Sequence, residues 1–457
     1  MKKFDAIVIG AGQAGPSLAA KLTQEGLRTA IIERQLFGGT CVNVGCIPTK
    51  TLIGSARIAQ LARGASAFGV DTGDIAVDML RVKSRMNRIR GEANLGVTEW
   101  LEAMDNLEII HGHAKFIGPK RVEVEGCILE ADKIFINVGA RARVPDLPGL
   151  EKVPYLTNST MLDVDYVPEH LIVIGGSYVG LEFAQMYRRF GSQVTVVEMA
   201  ERPIPREDDD ISGAVQDVLE GEGIQFELSA ECVSLARRGS TIEVFASCDD
   251  TQRSVIGSHV LLAVGRIPNT DDLGLEAAGI DTNARGFISV DDELKTTVDG
   301  VWALGEVNGR GAFTHTAYND FEIVSANLFS DSPRRVSDRV ECYGVFVDPP
   351  LGRVGMTERA ALDAGFAVKT GRRPMTSVGR ALEFGDTRGF MKVLVDAETD
   401  QILGAAILGL NGDEAIHCII DVMNAGLPYT AIQRSMHIHP TVSELIPTVF
   451  GDLTMTD

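Results

Sequence analysis

The sequence predicts an α/β protein in which one strand–turn–helix–strand unit occurs twice. In the first copy, residues 4–9 are largely apolar, as in a buried parallel strand, and a turn that begins at Gly10 leads them into a helix. The second copy runs in the same way from residues 171–174 into a turn that begins at Gly175. Alternation of strands and helices at this spacing is typical of parallel sheets covered by helices.

Both copies place an acid at the same distance from the turn. The offset from Gly10 to Glu33 equals that from Gly175 to Glu198, at 23 residues (33 − 10 = 198 − 175 = 23). Glycines let a pyrophosphate approach, a helix N-terminus supplies free N–H groups, and the acid accepts hydrogen bonds from a ribose. A glycine turn alone also serves packing, but the complete and repeated unit predicts two Rossmann-like domains that pass hydride between two dinucleotides. The turn positions are Gly10, Gly12 and Gly15 in the first copy and Gly175, Ser177 and Gly180 in the second.

The second unit predicts NADH as the preferred coenzyme. Glu198 pairs well with a free ribose 2′-hydroxyl and repels a 2′-phosphate. Ser177 adds bulk where the first unit has its middle glycine, which weakens or repositions pyrophosphate binding. Because Arg202 and Arg206 follow closely, NADPH stays open as the less favoured coenzyme.

Composition limits the remaining function classes. A chain of 457 residues exceeds one ordinary core and predicts two to four domains. Its formal net charge of −20 disfavours nucleic acid as a partner. We expect no membrane span, because no stretch of about 18 apolar residues occurs, and no signal peptide, because Asp5 interrupts the first apolar run. Seven irregularly spaced cysteines predict a reducing, cytoplasmic location.

The segment 38–50 holds two cysteines, Cys41 and Cys46, just after the first unit. Zinc sites usually space paired ligands more closely and need a second pair or histidines to complete four ligands. No such pair follows, so we expect a redox-active dithiol and no metal site. The other cysteines occur singly, at Cys127, Cys232, Cys248, Cys342 and Cys418.

The segment 38–50 resembles the active-site stretch of the class I pyridine nucleotide-disulfide oxidoreductases, the flavin-dependent group that includes dihydrolipoyl dehydrogenase, glutathione reductase and mercuric reductase. Similar segments recur from near residue 4 to near residue 450. The resemblance implies an FAD-binding and an NAD-binding Rossmann-like domain, followed by a C-terminal α+β dimerisation domain. The implied limits are 1–148 and 267–337 for the two parts of the FAD-binding domain, 149–266 for the NAD-binding domain and 338–457 for the dimerisation domain.

The resemblance also assigns the redox roles. Electrons would pass between NADH, FAD, the Cys41–Cys46 disulfide and a disulfide or dithiol substrate. Cys46 would form the charge-transfer thiolate against the flavin, and Cys41 would exchange with the substrate. Lys50 and Glu182 would form an ion pair beside the flavin, although such pairs often have no role beyond a surface contact.

A histidine near the C-terminus would supply the base. Thiol exchange needs proton transfer near neutral pH, which is histidine's range. His439 and Glu444 match the family's spacing, and the family lends this histidine to Cys41 of the partner subunit in a homodimer. For His437 we favour a packing role.

The flavin site should also include the end of strand 301–304 and the start of the next helix. In the family an aspartate at that strand end holds the ribityl chain, and Glu306 takes this place. Thr314 and His315 open a helix whose amides would face the flavin. The implied cofactor-binding residues are Gly10, Gly12, Gly15, Glu33, Thr40, Lys50, Ala114, Gly139, Gly175, Ser177, Val179, Gly180, Glu198, Gly265, Gly305, Glu306, Thr314 and His315.

Features of two family members are mixed in this chain. The histidine–glutamate dyad and segment 46–50 are most similar to dihydrolipoyl dehydrogenase, whereas segment 386–390 resembles mercuric reductase. Segment 308–311 departs from the dihydrolipoyl dehydrogenase pattern. We therefore predict a divergent dihydrolipoyl dehydrogenase-like enzyme. The alternatives are a reductase of a metal ion or another thiol-reactive oxidant, and a non-catalytic flavoprotein subunit.

Overall fold

The computed structural model describes residues 1–246 and 253–456, and in this part of the chain three large sheets are accompanied by two smaller ones. The first sheet is parallel apart from an antiparallel extension at one edge. In spatial order its described strands are Leu107–His111, Thr29–Glu33, Lys2–Ile9, Cys127–Ile136, Arg121–Val124 and Ala114–Gly118, and Val301–Ala303 also pairs with Cys127–Ile136.

The first sheet is covered on both faces, which explains its apolar strands. Ile7 and Ile9 belong to the core on one face, and Ala6 and Val8 belong to the core on the other. Successive side chains of a strand point to opposite faces, so a central strand of a two-sided sheet needs apolar residues at every position. The predicted strand 4–9 therefore lies at the centre of the sheet.

The second sheet contains the second unit. In spatial order its described strands are Gln225–Glu227, Gln193–Val197, His170–Ile174, His259–Leu262 and Leu156–Thr157, and all are parallel. An antiparallel sheet follows within this region, formed by Ser234–Arg238, Thr241–Phe245 and Ser254–Gly257. The short strands Ala140–Ala142 and Arg266–Pro268 pair with each other and join the regions of the first and second sheets.

The third sheet is antiparallel. Its described strands in spatial order are Cys342–Val345, Leu351–Gly355, Ile402–Leu408, Phe390–Asp396, Val368–Pro374 and Thr454–Met455. Phe390–Asp396 and Ile402–Leu408 pair with each other as an antiparallel hairpin.

Helices cover these sheets. The described α-helices are Ala14–Gln24, Gly39–Asn43, Cys46–Gly64, Met79–Glu102, Asn158–Met161, Tyr178–Phe190, Asp209–Gly221, Leu275–Ala278, Thr314–Phe329, Glu358–Asp363, Gly379–Glu383, Gly412–Ala415, His417–Asn424, Thr430–Gln433 and Ile446–Val449. Short 3₁₀ turns occur at Ala65–Phe68, Leu150–Lys152, Gly305–Asn308, Val336–Asp338, Met375–Ser377 and Ser443–Leu445. Within the described residues, no helix combines the length and apolar character needed to cross a membrane.

The helical region between the second and third strands of the chain is divided in two. The first helix, Cys46–Gly64, continues into a 3₁₀ turn that ends at Gly69, whose φ is +75°. A left-handed glycine at this position terminates a helix. The second helix, Met79–Glu102, begins ten residues later with an N-cap from Asp78, whose carboxylate accepts the Arg81 N–H.

One hydrophobic core, behind the candidate site, joins the three regions that are built on the first, second and third sheets. It contains Leu52 and Ala56 of helix Cys46–Gly64, Phe183 of helix Tyr178–Phe190, and Val345 and Leu351 of the third sheet. Burial of these side chains fixes the two helices and the sheet edge against one another. The polar groups at the helix N-termini are therefore held in fixed relative positions.

Candidate active site

The first turn has the geometry that a pyrophosphate requires. Gly10 has a φ of +100°, and a Cβ there would lie 2.4 Å from the Asn137 carbonyl oxygen, so this position needs glycine. The Glu33 carboxylate returns to the turn, where its Oε2 accepts the Ala11 N–H at 2.8 Å. The acid at the end of the second strand thus lies directly beside the turn.

The second turn repeats this arrangement. Gly175 has a φ of +111°, and a Cβ would lie 2.5 Å from the Ala263 carbonyl oxygen. Glu198 Oε2 accepts the Gly176 N–H at 2.5 Å, the counterpart of the Glu33 contact. Ser177 takes the N-cap position of helix Tyr178–Phe190, and its side chain makes no capping hydrogen bond.

The hydrogen-bond donors that the two turns present are suited to a dinucleotide. The N-cap residues of helices Ala14–Gln24 and Tyr178–Phe190, Gln13 and Ser177, make no side-chain capping hydrogen bond, and neither helix has an acid in its first turn. The first N–H groups of a helix need acceptors, and the helix dipole favours an anion there. A pyrophosphate satisfies both requirements, and Glu33 and Glu198 stand where a ribose would follow.

The two candidate redox cysteines are brought together. Cys41 lies in the short helix Gly39–Asn43, and Cys46 is the first residue of helix Cys46–Gly64. Both are thiols in this structure, and their sulfur atoms are hydrogen-bonded to each other. Cys46 Sγ also lies 3.3 Å from Oγ1 of Thr314, the first residue of helix Thr314–Phe329.

The two thiols have opposite acidities. The hydrogen bond from Cys41, assisted by Thr314 and by the charge of Lys50, lowers the pKa of Cys46 to about 6. The same hydrogen bond, together with burial, raises the pKa of Cys41. One proton is therefore shared by the pair, and Cys46 is the thiolate at neutral pH.

Lys50 and Glu182 form the predicted ion pair, with 2.6 Å between Nζ and Oε2. Lys50 lies one turn after Cys46 on the same helix, so it faces the same side as the thiolate. Glu182 is 3% exposed and belongs to helix Tyr178–Phe190, which starts at the second turn. The pair therefore links the dithiol to the second nucleotide-binding unit, which distinguishes it from an ordinary surface contact.

Sequence reasoning missed a third member of this group, Phe346. Its backbone N–H donates to Glu182 Oε1 at 3.1 Å, and its ring centroid lies 4.5 Å from Lys50 Nζ. Phe346 follows strand Cys342–Val345 of the third sheet, 164 residues after Glu182. No local sequence signal links these positions.

Glu306 is engaged by an arginine. Both of its carboxylate oxygens accept the Arg266 Nε–H, at 2.8 and 3.0 Å. The same guanidinium donates to the Ala140 carbonyl and lies 3.5 Å from Thr40 Oγ1. Arg266 therefore ties the strand end at Glu306 to the joining strands and to the dithiol segment, a contact that sequence reasoning also missed.

The unusual segment 308–311 is held by a buried carboxylate. Asp320 Oδ2 accepts the Gly305 N–H at 2.7 Å and the Asn308 side-chain amide at 2.9 Å, and Arg339 binds its other oxygen. Asp320 and Asn308 are both buried. A buried carboxylate needs partners of this kind, so Asn308 and Arg339 stabilise the strand end beside Glu306.

The C-terminal pair also forms within the chain. His439 Nδ1 lies 2.7 Å from Glu444 Oε2, which orients the imidazole and leaves Nε2 free to exchange a proton. The His439 side chain is 80% exposed, and no hydrogen bond or ion pair within the described residues joins it to Cys41. His437 is half-buried, and its Nδ1 contacts the Ser435 carbonyl.

Other predicted cofactor residues have the following contacts and positions in the fold. His315 stacks on Phe313, with 5.4 Å between ring centroids, and contacts the Cys342 carbonyl at 2.7 Å through Nε2; burial lowers the pKa of this imidazole. The Gly139 carbonyl accepts the Asn269 N–H, and the Gly265 carbonyl accepts the Arg143 N–H. The predicted residues Ala114 and Val179 begin strand Ala114–Gly118 and lie in the first turn of helix Tyr178–Phe190, respectively.

No metal centre accompanies the dithiol in the described part of the chain. Within residues 1–246 and 253–456, no group of three or more His, Cys, Asp or Glu side chains is placed to hold a metal ion. The two thiols, the cation and the two nucleotide-binding turns are the chemical groups that the site presents. Together they define an oxidoreductase that couples a dithiol to two dinucleotides.

Comparison with known families identifies the same class. The family model described as pyridine nucleotide-disulphide oxidoreductase matches residues 4–320, and the dimerisation-domain model of that family matches residues 342–450. The chain belongs to the pyridine nucleotide-disulphide oxidoreductase family. It is accordingly a flavoprotein-class oxidoreductase with FAD and pyridine nucleotide domains, and NAD(P)H–disulfide oxidoreduction is the family's chemistry.

Several relatives match the chain over most of its length. The probable pyridine nucleotide-disulfide oxidoreductase RclA of Escherichia coli is 37% identical over 459 residues, covering 99% of each chain. The dihydrolipoyl dehydrogenase of Chlorobaculum tepidum is 33% identical, covering 97% of this chain and 96% of its own, and the mercuric reductase of Lysinibacillus sphaericus is 31% identical, covering 96% and 81%. A solved Cu(II) complex of the HOCl-induced flavoprotein disulfide reductase RclA from Escherichia coli superposes with a TM-score of 0.90 at 35% identity, covering 99% of each chain.

Proposed function

We propose that this chain is an NADH-dependent, FAD-containing reductase that passes electrons through Cys41 and Cys46 to a disulfide substrate, or runs in reverse as a dithiol dehydrogenase. The observation that carries the proposal is the contact of Cys46 with Cys41 and Thr314, which lowers the pKa of Cys46 to about 6. A non-catalytic flavoprotein subunit would need neither this thiolate nor the Lys50–Glu182 pair beside it.

Each residue has a defined role in this reaction. FAD, when bound, supplies the two-electron exchange between the nicotinamide and the sulfur atoms. Cys46 is the thiolate nearest that exchange, since it lies at two helix N-termini and beside Lys50. Cys41 attacks or leaves the substrate sulfur, and His439 moves the accompanying proton while Glu444 orients it. The net reaction converts NADH, a proton and a disulfide into NAD⁺ and two thiols.

NADH is the proposed coenzyme. Glu198 stands at the second turn, where a carboxylate repels a 2′-phosphate. The nearby Arg202 is already engaged, with 2.6 Å between its Nη2 and Asp209 Oδ1. An arginine held by its own carboxylate is a poor phosphate ligand, which supports preference for NADH over NADPH.

A homodimer in which His439 acts across the interface completes the proposed site. Within one chain, the histidine is exposed and its only described charged partner is Glu444. The neighbouring Met436 and Ile438 are 98% and 80% exposed, which is unfavourable for apolar side chains unless another surface covers them. We propose the limits 1–148, 149–266, 267–337 and 338–457 for the domain segments, and the three sheets support this division.

Cu(II) or another thiol-reactive metal ion is the second candidate acceptor. The relative whose solved structure is a Cu(II) complex favours it, as does the match to mercuric reductases. Two Cu(II) ions would each take one electron while the Cys41–Cys46 pair, with Cys46 as the thiolate, loses two electrons and its one remaining proton to form a disulfide. The dithiol alone supplies the electrons in this reaction.

The test is an anaerobic titration of the purified flavoprotein with NADH, followed by absorbance. We expect a long-wavelength thiolate-to-flavin band at two-electron reduction. Dihydrolipoamide with NAD⁺, small disulfides and Cu(II) would then be compared as substrates. Bleaching of the flavin without that band would contradict the dithiol mechanism and favour an NADH oxidase or a non-catalytic flavoprotein.

The cytoplasmic location stays a prediction from the cysteine pattern. Cell fractionation tests it, with the expectation that the chain occurs with cytoplasmic enzymes. Recovery from an extracytoplasmic fraction would contradict it.

A further inference from the structure

Phe346 lies between two buried residues yet faces outward. Val345 and Val347 are both 2% exposed and belong to the core that joins the three regions, whereas Phe346 is 36% exposed. Neighbouring side chains in extended backbone point to opposite sides, so the Phe346 ring is directed away from this core. Packing of this core therefore does not explain why residue 346 is a large aromatic side chain.

The outward ring contacts the redox ion pair. Lys50 Nζ lies 4.5 Å from the Phe346 ring centroid and 2.6 Å from Glu182 Oε2, so the ammonium has the carboxylate and the ring as neighbours. The face of an aromatic ring attracts a cation at this distance. The Phe346 N–H also donates to Glu182 Oε1 at 3.1 Å, so one residue of the third sheet contacts both members of the pair.

We propose that Phe346 is a positioning residue for the dithiol chemistry: its ring holds the Lys50 ammonium at the place where it stabilises the Cys46 thiolate. This rests on the proposed function, because it needs Cys46 to act as a thiolate. The titratable groups that act on Cys46 in the described structure are Cys41, Lys50 and Glu182. Lys50 favours the thiolate and Glu182 opposes it, so the position of the ammonium decides the balance between them.

The chemistry of Lys50 and Glu182 explains why the aromatic character of Phe346 matters more than the size of its side chain. Lys50 is one-third exposed, so without a second contact its flexible side chain exchanges between Glu182 and water. Phe346 restricts this motion and shields the pair from solvent, which strengthens the field of the ammonium at Cys46. An aliphatic residue of similar size would also shield the Lys50–Glu182 pair from solvent. It would offer the ammonium no ring face, so it would not hold the cation in one place.

The experiment measures the acidity of Cys46 in the FAD-bound protein. In a Cys41→Ser background, no disulfide forms and Cys46 stays available. The pH midpoint of the long-wavelength thiolate-to-flavin absorbance is compared for Phe346, Phe346→Leu and Phe346→Tyr. We expect the leucine variant to raise the midpoint by up to about half a pH unit, the size of a cation–π contact at a partly exposed site. The tyrosine variant keeps the ring and should keep the midpoint.

The backbone N–H at residue 346 is retained in every variant, so the comparison isolates the ring. Phe329→Leu is the matched control, because Phe329 makes a similar contact to Lys21, at 5.6 Å, away from the dithiol. The rate of Cys46 alkylation by iodoacetamide against pH gives a second reading of the same midpoint without the flavin band. Phe346→Met, which keeps an apolar side chain, replaces the leucine variant if that protein does not fold.

The outcomes separate the two proposals. A raised midpoint in the leucine variant with no change in the tyrosine and Phe329 variants supports the role of Phe346. Equal midpoints for leucine and phenylalanine overturn that role while the dithiol function stands. Absence of the band in the parent protein, together with a Cys46 alkylation midpoint near that of an ordinary thiol, overturns the dithiol function and with it the role of Phe346.

Discussion

Cys46 Sγ and Thr314 Oγ1 lie 3.3 Å apart although 268 residues separate them in the chain. Each is the first residue of a helix, Cys46–Gly64 and Thr314–Phe329 respectively. Two helix N-termini therefore converge on one sulfur atom, and their partial positive charges favour its ionised form. With Lys50 one turn away, the site stabilises a thiolate from three directions.

The first prediction concerns the pH dependence of this thiolate. The pKa of Cys46 is lowered to about 6 from an ordinary thiol value of 9.0. Because the ionised form is the one that absorbs with the flavin, the long-wavelength band of the two-electron-reduced protein should grow as pH rises through about 6 and fade below it. A spectrophotometric titration measures the midpoint. A midpoint near 9 would contradict the hydrogen bonding described for Cys46.

The second prediction compares two substitutions of Cys41. The hydrogen bond from Cys41 is the largest cause that lowers the pKa of Cys46. Cys41→Ser keeps a donor and Cys41→Ala removes it, so the alanine variant should have the higher band midpoint, by roughly half to one pH unit for the loss of one hydrogen bond. Both should retain bound yellow flavin, and both should lose disulfide reduction. Undiminished turnover in either variant would exclude Cys41 as the exchanging thiol.

Local patterns predicted part of this site well. The acids Glu33 and Glu198 lie beside their turns because strand and helix lengths fix that geometry within one unit. His439 and Glu444, which are only five positions apart, also contact each other. Such short-range relationships are encoded in spacing, so a sequence displays them directly.

Contacts between regions could not be predicted in the same way. The pairing of Arg266 with Glu306 and the contact of Phe346 with Lys50 depend on how separate strands and sheets are packed against one another. Neither contact follows from a fixed spacing in the sequence. Taken singly, each of these residues is equally compatible with a purely structural role. The family resemblance supplied Lys50 and Glu182, but the physical link between them needed the packing of helices Cys46–Gly64 and Tyr178–Phe190.

The third prediction concerns coenzyme choice. Glu198→Gln keeps an oxygen that accepts the Gly176 N–H and removes the charge that repels a 2′-phosphate. We expect kcat/KM for NADPH to rise about tenfold, with a smaller fall for NADH, because one like charge near a phosphate is worth about 1.4 kcal/mol or more. Steady-state kinetics with both coenzymes measures the ratio. Glu33→Gln is the matched control, since it alters the corresponding contact in the first turn and should affect FAD retention without changing the ratio.

The fourth prediction separates the two half-reactions. His439→Gln should slow the thiol–disulfide half-reaction by roughly 100-fold or more, because a positioned general base contributes that much. Reduction of the flavin by NADH should stay near the parent rate, since it does not use this proton. Glu444→Gln, which keeps a hydrogen-bond partner for Nδ1, should have a smaller effect. Stopped-flow measurement of each half-reaction provides the test, and equal slowing of both would contradict the role of His439 as the base.

The fifth prediction tests whether His439 serves the partner subunit. A Cys41→Ser subunit should be inactive in disulfide reduction, and a His439→Gln subunit should keep about 1% or less of the parent rate. If the histidine acts across a twofold interface, the mixed dimer has one site with both defects and one site with neither. Subunits exchanged at equal amounts should then recover about a quarter of the parent activity, because about half of the dimers are mixed and each has one intact site. If His439 acts within its own chain, every site of the mixed dimer carries one defect and activity stays at the low level of the two separate variants. Exchange is followed with distinguishable affinity tags, so that recovery is scored only where mixed dimers are present.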